Sequence, residues 1–113
     1  MPFINSKVTV PVSEEQKEKI KSEFGKAAMI IGKPEAYVMI GFEENCSLYF
    51  AGEKLDKGAY VSVDLLGSGN SSAFDKMTGK ICEVLDAELG IPSNHVYVEY
   101  RTTPDWGYNG RNF

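Results

Sequence analysis

Residues 32–42, Gly-Lys-Pro-Glu-Ala-Tyr-Val-Met-Ile-Gly-Phe, and residues 90–100, Gly-Ile-Pro-Ser-Asn-His-Val-Tyr-Val-Glu-Tyr, are two versions of one pattern. Gly, Pro, Val, a β-branched residue and an aromatic recur in register, 58 residues apart. Gly followed two residues later by Pro ends a helix. The alternating apolar run after it starts a strand. Carried backwards at the same interval, the repeat pairs the segment from Pro2 to Val10 with that from Tyr60 to Ser68. It also pairs the helix-like stretch after Ser13 with the one after Ser71. The chain therefore reads strand, helix, strand, twice over. Two copies are too few for a solenoid and fit a small α/β (α+β) domain of two β-α-β units.

Caps and periodicity locate the helices. Ser13 with Gln16 forms a capping box, and Ile20, Phe24, Ala27, Ala28 and Ile31 make one apolar stripe before Gly32. In the second half Ser71 or Ser72 is the expected cap. Phe74, Met77, Ile81, Val84, Leu85 and Leu89 make the stripe before Gly90. The strands alternate with period two: Ile4, Val8 and Val10; Val61, Val63 and Leu65; Val96, Val98 and Tyr100. The expected architecture is a four-stranded mixed sheet with two helices on one face. The opposite face mixes charge with Tyr37, Met39 and Tyr97, and two helices leave it uncovered. Exposed aromatics there point to a second subunit. Leu48-Tyr49-Phe50 and the piece around Trp106-Gly107-Tyr108 read as short edge strands.

The 113 residues predict one domain over residues 1–113. A net charge of −4 argues against nucleic acid as a partner. No apolar run approaches the roughly 18–20 residues of a membrane span. The start lacks a secretory signal, so the expected location is cytoplasmic. Cys46 and Cys82 form no CxxC and read as free thiols; neither a metal nor a cofactor is expected. The sequons at Asn45 and Asn70 read as chance matches.

Pro2 is the first candidate for chemistry. Initiator Met is generally removed before a small residue, which would leave a secondary amine at the chain start. Burial or a nearby Lys lowers the pKa of such an amine and makes it a general base near pH 7. A proline in second place is by itself ordinary, and a retained Met1 would turn the nitrogen into an amide. Lys33 sits in a turn that a β-α-β unit brings to the same end as Pro2, where a cation would bind a carboxylate. Alone it reads as a solvated turn lysine favoured by the helix dipole. Gly67-Ser68-Gly69-Asn70-Ser71-Ser72 lacks the Lys of a P-loop. His95, the single histidine, has no triad partners nearby.

Taken together, Met1-Pro2, Gly32-Lys33-Pro34, Leu66-Gly67, Val96-Tyr97-Val98 and Gly107-Tyr108-Asn109-Gly110 with Phe113 resemble the macrophage migration inhibitory factor family of the tautomerase superfamily. The resemblance covers the whole chain. It implies a β-α-β-β-α-β protomer in a homotrimer, and keto–enol tautomerisation of phenylpyruvate- or dopachrome-like substrates. It puts the base on Pro2 and carboxylate binding on Lys33. It adds a substrate contact at the Leu66 backbone N–H, a pocket aromatic at Tyr37 and an apolar rim at Trp106, Tyr108 and Phe113. Tyr97 and Glu99 would come from a neighbouring subunit. The alternative it implies is a cytokine-like ligand for a cell-surface receptor, secreted by a non-classical route, with vestigial pocket activity. Several positions depart from the family pattern. Gly58-Ala59-Tyr60-Val61 replaces the mammalian CxxC, so thiol-oxidoreductase activity is not expected. Glu99 replaces an Asn, which would repel anions or add an acid/base group. Tyr108 replaces a Trp, Trp106 a smaller residue, and Val12 an Arg implicated in receptor binding. A small ligand-binding domain of ferredoxin-like arrangement is a third reading.

Overall fold

The computed structural model describes residues 1–113. Strand β1 (Pro2–Val8) leads into helix α1 (Glu14–Ile30), and a 3-10 turn at Glu35–Tyr37 precedes strand β2 (Met39–Glu43). A small hairpin, β3 (Tyr49–Phe50) and β4 (Glu53–Lys54), comes next. The order then repeats with β5 (Ala59–Leu66), α2 (Ser71–Leu89), a 3-10 turn at Ser93–His95, β6 (Val96–Thr103), and a hairpin of β7 (Gly107–Tyr108) and β8 (Arg111–Asn112). The main sheet runs β2-β1-β5-β6, with β1–β2 and β5–β6 parallel and β1–β5 antiparallel. The two β-α-β halves therefore meet back to back at the centre of the sheet.

Both helices cover one sheet face. Phe24, Ile20, Met77, Ile81 and Leu85 pack without exposure against Ile4, Val8, Val61, Val63 and Leu65. Each such side chain contributes on the order of 1.5–3 kcal/mol by leaving water. The predicted stripes are the buried ones, apart from Phe74 and Ile31, which pack half-buried at the margin. Ser6 is the one polar side chain in this layer, and its hydroxyl has no partner.

Four sequence expectations change. Strand β1 stops at Val8, two residues before Val10, where the chain bends towards Ser13. The cap of α2 is Asn70, whose side chain accepts from the Ala73 N–H at 2.9 Å; Ser71 and Ser72 lie inside the helix. Tyr37 belongs to the 3-10 turn at the end of the sheet, so of the three side chains expected on the open face only Met39 and Tyr97 are in strands. The short strands around Tyr49 and Gly107 pair, within the chain, only with their own hairpin partners.

The repeat interval is also not constant. Phe3 lies opposite Met39 as Tyr60 lies opposite Tyr97, an interval of 57 for the first strand of each half. Ile20, Phe24, Ala27 and Ala28 match Met77, Ile81, Val84 and Leu85 at the same interval. From Gly32 and Gly90 onwards it is 58. The extra residue lies in the last turn of α2. There the Ile91 N–H reaches back six residues to Leu85, while the Lys33 N–H reaches back five to Ala28. A one-residue slip turns every strand side chain to the opposite face, so the constant interval mismatched the first strand of each half.

Candidate active site

The end of α1 sets Lys33. Gly32 takes φ +75°, a left-handed conformation natural to glycine. Its N–H donates to Met29 and the Lys33 N–H to Ala28, both at 3.0 Å, closing the helix with a Schellman motif. The chain then re-enters the sheet as β2, parallel to β1. Parallel strands start at the same end, which brings Lys33 to the start of β1. Its ammonium donates to the Leu66 carbonyl at 3.2 Å. Leu66 is the last residue of β5, whose preceding residue, Leu65, lies opposite Pro2 across the antiparallel pair. The Leu66 N–H donates to the Met1 carbonyl at 3.3 Å. Pro2, Lys33 and both backbone groups of Leu66 thus converge on one spot.

The amine there belongs to Met1, and its pKa is lowered from the ordinary α-amino value, first by burial and then by the Lys33 charge. With Met1 attached, the Pro2 nitrogen is an amide without a basic lone pair. Beside it opens a cleft of about 300 Å³, lined mainly by apolar side chains, among them Phe3, Tyr37, Val38, Met39 and Trp106. Tyr108 meets Tyr37 edge-on at 6.4 Å and stacks on Phe113 at 6.1 Å. The Phe113 N–H donates to the Trp106 carbonyl at 3.0 Å, fixing the β7–β8 hairpin as the outer wall.

Seven of the nine residues singled out in the sequence therefore come together: Pro2, Lys33, Leu66, Tyr37, Trp106, Tyr108 and Phe113. Tyr97 and Glu99 do not join them within one chain. Pro2 aligns across the sheet with Leu65 and Thr102, and Tyr97 lies five residues from Thr102 along β6, about 16 Å away. Tyr97 is 63% exposed. Glu99 is not a free carboxylate: Tyr60 donates its hydroxyl to Glu99 at 2.6 Å and Arg101 its Nε at 2.8 Å. The Tyr60 bond first, and Arg101 with it, holds the Glu99 pKa below the usual carboxylate value, so it stays ionised at neutral pH. Sequence reading missed this clamp and the bond from Leu66 to Met1. The first needs the β5–β6 register and the second the β1–β5 register.

A family model for macrophage migration inhibitory factor matches residues 1–113. The chain belongs to this family. As a family member it also falls in the tautomerase superfamily. A macrophage migration inhibitory factor homolog from Trichuris trichiura is 29% identical over 115 residues, spanning 100% of both chains. The crystal structure of Leishmania major MIF2 superposes with a TM-score of 0.94 at 32% identity, covering 100% of this chain and 97% of that one. A fused 4-OT, a symmetric trimer, has the same fold at a TM-score of 0.85 and 24% identity, covering 97% of this chain and 94% of that one. The two-helix, four-stranded macrophage migration inhibitory factor fold is therefore this chain's fold.

Proposed function

We propose that the protein is a keto–enol tautomerase for phenylpyruvate- or dopachrome-like substrates, with Pro2 as general base once Met1 is removed. One observation carries this reading. The Met1 carbonyl holds the Leu66 N–H beside Lys33 and the aromatic cleft. Loss of Met1 frees two groups at once, a secondary amine at Pro2 and a backbone donor at Leu66. That amine would stand one residue from the present terminus, whose pKa is lowered by burial and by the Lys33 charge.

With phenylpyruvate, the Lys33 ammonium and the Leu66 N–H bind the carboxylate, and the phenyl ring lies against Tyr37, Trp106 and Tyr108. The neutral Pro2 nitrogen takes a proton from the carbon next to the ketone. The electron pair of that C–H bond becomes the C=C bond, and the carbonyl pair moves onto oxygen. Pro2 then returns that proton to the oxygen, which restores its neutral amine, and the enol leaves. Lys33 contributes by orientation, and Tyr97 or a water by stabilising the developing oxyanion. For Tyr97 to reach a Pro2 cleft, that cleft must belong to another copy. The proposed assembly is accordingly a homotrimer, the state of the fused 4-OT neighbour.

Intact mass and phenylpyruvate turnover test this together. Met1-free protein should turn over phenylpyruvate well above buffer, and Pro2→Gly should lower kcat/KM by at least about a hundredfold. Protein retaining Met1 should be inactive. Full turnover by Pro2→Gly or by Met1-retaining protein would overturn the assignment. The names of the relatives favour a second reading, a cytokine-like ligand. Receptor signalling preserved in Pro2→Gly would separate the two roles.

A further inference from the structure

The two short hairpins turn in the same way and differ at one residue of the turn. In β3–β4 the turn is Ala51-Gly52, with φ of +53° and +83°. In β7–β8 it is Asn109-Gly110, with φ of +53° and +84°. Positive φ at both central residues is the two-residue turn that matches the twist of a hairpin. Alanine at 51 shows that this backbone does not require an asparagine. The Asn109-Gly110 pair therefore brings a chemistry that the turn itself does not need.

Asn109 is the one asparagine of six that precedes a glycine. Asn5 and Asn70 commit their side chains to Glu43 and to the Ala73 N–H, whereas the Asn109 amide bonds no group of the chain. The Gly110 N–H donates to no carbonyl. Nothing stands within 4 Å of where a Gly110 side chain would begin. Both residues are exposed. The hairpin that holds them has only two residue pairs, Gly107 with Asn112 and Tyr108 with Arg111. A two-stranded ribbon of that length is marginal by itself and opens locally. When it opens, the Gly110 nitrogen can reach the Asn109 side-chain carbonyl while the core stays packed.

We propose that Asn109 is a self-modification site, converted by Gly110 and water to aspartate and isoaspartate, and that the conversion loosens the outer wall of the Pro2 cleft. The Gly110 nitrogen attacks Cγ of Asn109. A C–N bond forms, the Cγ–NH2 bond breaks, and ammonia leaves with the proton of the Gly110 N–H, closing a succinimide ring. Water then opens the ring. Attack at Cγ gives aspartate. Attack at the main-chain carbonyl gives isoaspartate, in which the chain runs through Cβ and is one atom longer. That extra methylene falls inside a two-residue turn, so the Tyr108–Arg111 pair no longer closes as before. Tyr108 then loses its fixed place against Tyr37 and Phe113, and the Phe113 N–H its bond to Trp106. Either product also sets a carboxylate on the wall of a cleft that Lys33 makes favourable to anions. The effect on turnover rests on the tautomerase reading; the modification and the loosened wall do not.

The test is incubation of the assembled, full-length protein at physiological temperature, followed by intact mass and peptide mapping. The peptide holding Asn109 should exchange NH2 for OH and resolve into aspartate and isoaspartate forms. In water enriched in heavy oxygen the new carboxyl should carry the label. Asn45, Asn70 and Asn94 should stay unmodified over the same time. Asn109→Ala, whose turn is the one Ala51 already makes, should fold, keep its initial turnover and resist the change. Assigned NMR signals of Tyr37, Tyr108 and Phe113 should shift in the aged protein and stay in place in aged Asn109→Ala. Aged, Met1-free protein should show a raised KM for phenylpyruvate. Asn109→Asp, which adds the charge without the methylene, should raise it by no more than about twofold, the worth of one exposed charge roughly 10 Å away. Asn109 reacting no faster than Asn94 in the folded protein would overturn the proposal, including the case in which a second copy buries the turn. Modification without a shift of the three aromatic residues would overturn the loosened wall. Absence of phenylpyruvate turnover in fresh Met1-free protein would count against the tautomerase reading alone, since mass and NMR still decide the modification and the wall.

Discussion

At the N-terminus, two groups depend on a single residue. With Met1 attached, the Pro2 nitrogen is an amide and the Leu66 N–H is occupied; without it, the first would be an amine and the second a free donor. The lowered amine pKa gives the pH dependence its sign. At the Met1 amine burial and the Lys33 charge both disfavour the protonated form, and a Pro2 amine, in a residue already buried, would meet both. The base then stays neutral to a lower pH than an ordinary α-amine, whose pKa is about 7.7–8.0. In Met1-free protein kcat/KM should be level above the base's pKa and fall as pH drops through it, with a midpoint below that range. Lys33→Met removes the smaller of the two causes and should move the midpoint upward while raising KM; a pH–rate profile reads both. Ser6 makes the opposite kind of prediction. Its hydroxyl is buried without a partner, and such a group costs about 1–3 kcal/mol. Ser6→Ala should therefore leave thermal stability unchanged or raise it, as calorimetry would show.

Among the elements, the two helices differ at both ends in ways that position the site. Helix α1 begins in the predicted Ser13–Gln16 capping box. In α2 the sequence offers Asn70, Ser71 and Ser72 in a row, any of which can cap. The strand-to-helix path chose Asn70. Asn70→Ala should cost about 1 kcal/mol and lower Tm by a few degrees, whereas Ser71→Ala and Ser72→Ala should cost little. The added residue in the last turn of α2 was hidden for a related reason. The Gly-x-Pro stops align at 58, but the strands and stripes before them align at 57, and only hydrogen-bond register separates the two. This is why the buried face of each first strand was legible in the sequence while the matching of one first strand to the other was not.

For the whole molecule, one chain supplies an incomplete site. Pro2 and Lys33 stand at one end of the sheet, Tyr97 lies near the other, and Glu99 is midway along β6. In the proposed trimer each active site draws on two chains, and light scattering should give three times the 12.5 kDa chain mass. Complementation tests the sharing directly. Pro2→Gly and Tyr97→Ala should each be impaired alone. Reassembled together they should regain activity, because some sites then combine an intact Pro2 with an intact Tyr97 from a neighbour. Activity in the mixture no higher than the sum of the two variants would count against a shared site.

The sequence by itself determined the elements, their twofold repetition, the apolar face under the helices and, through Gly32 and Pro34, the turn that carries Lys33. These are local properties: a cap, a period or a glycine stop is written within a few residues. Only the tertiary structure decided which groups meet. Antiparallel pairing of β1 with β5 brought the Leu66 N–H to Met1, and parallel pairing of β5 with β6 tied Glu99 to Tyr60. Such contacts join positions tens of residues apart, and their partners depend on strand register, which a single-residue change in helix length is enough to shift.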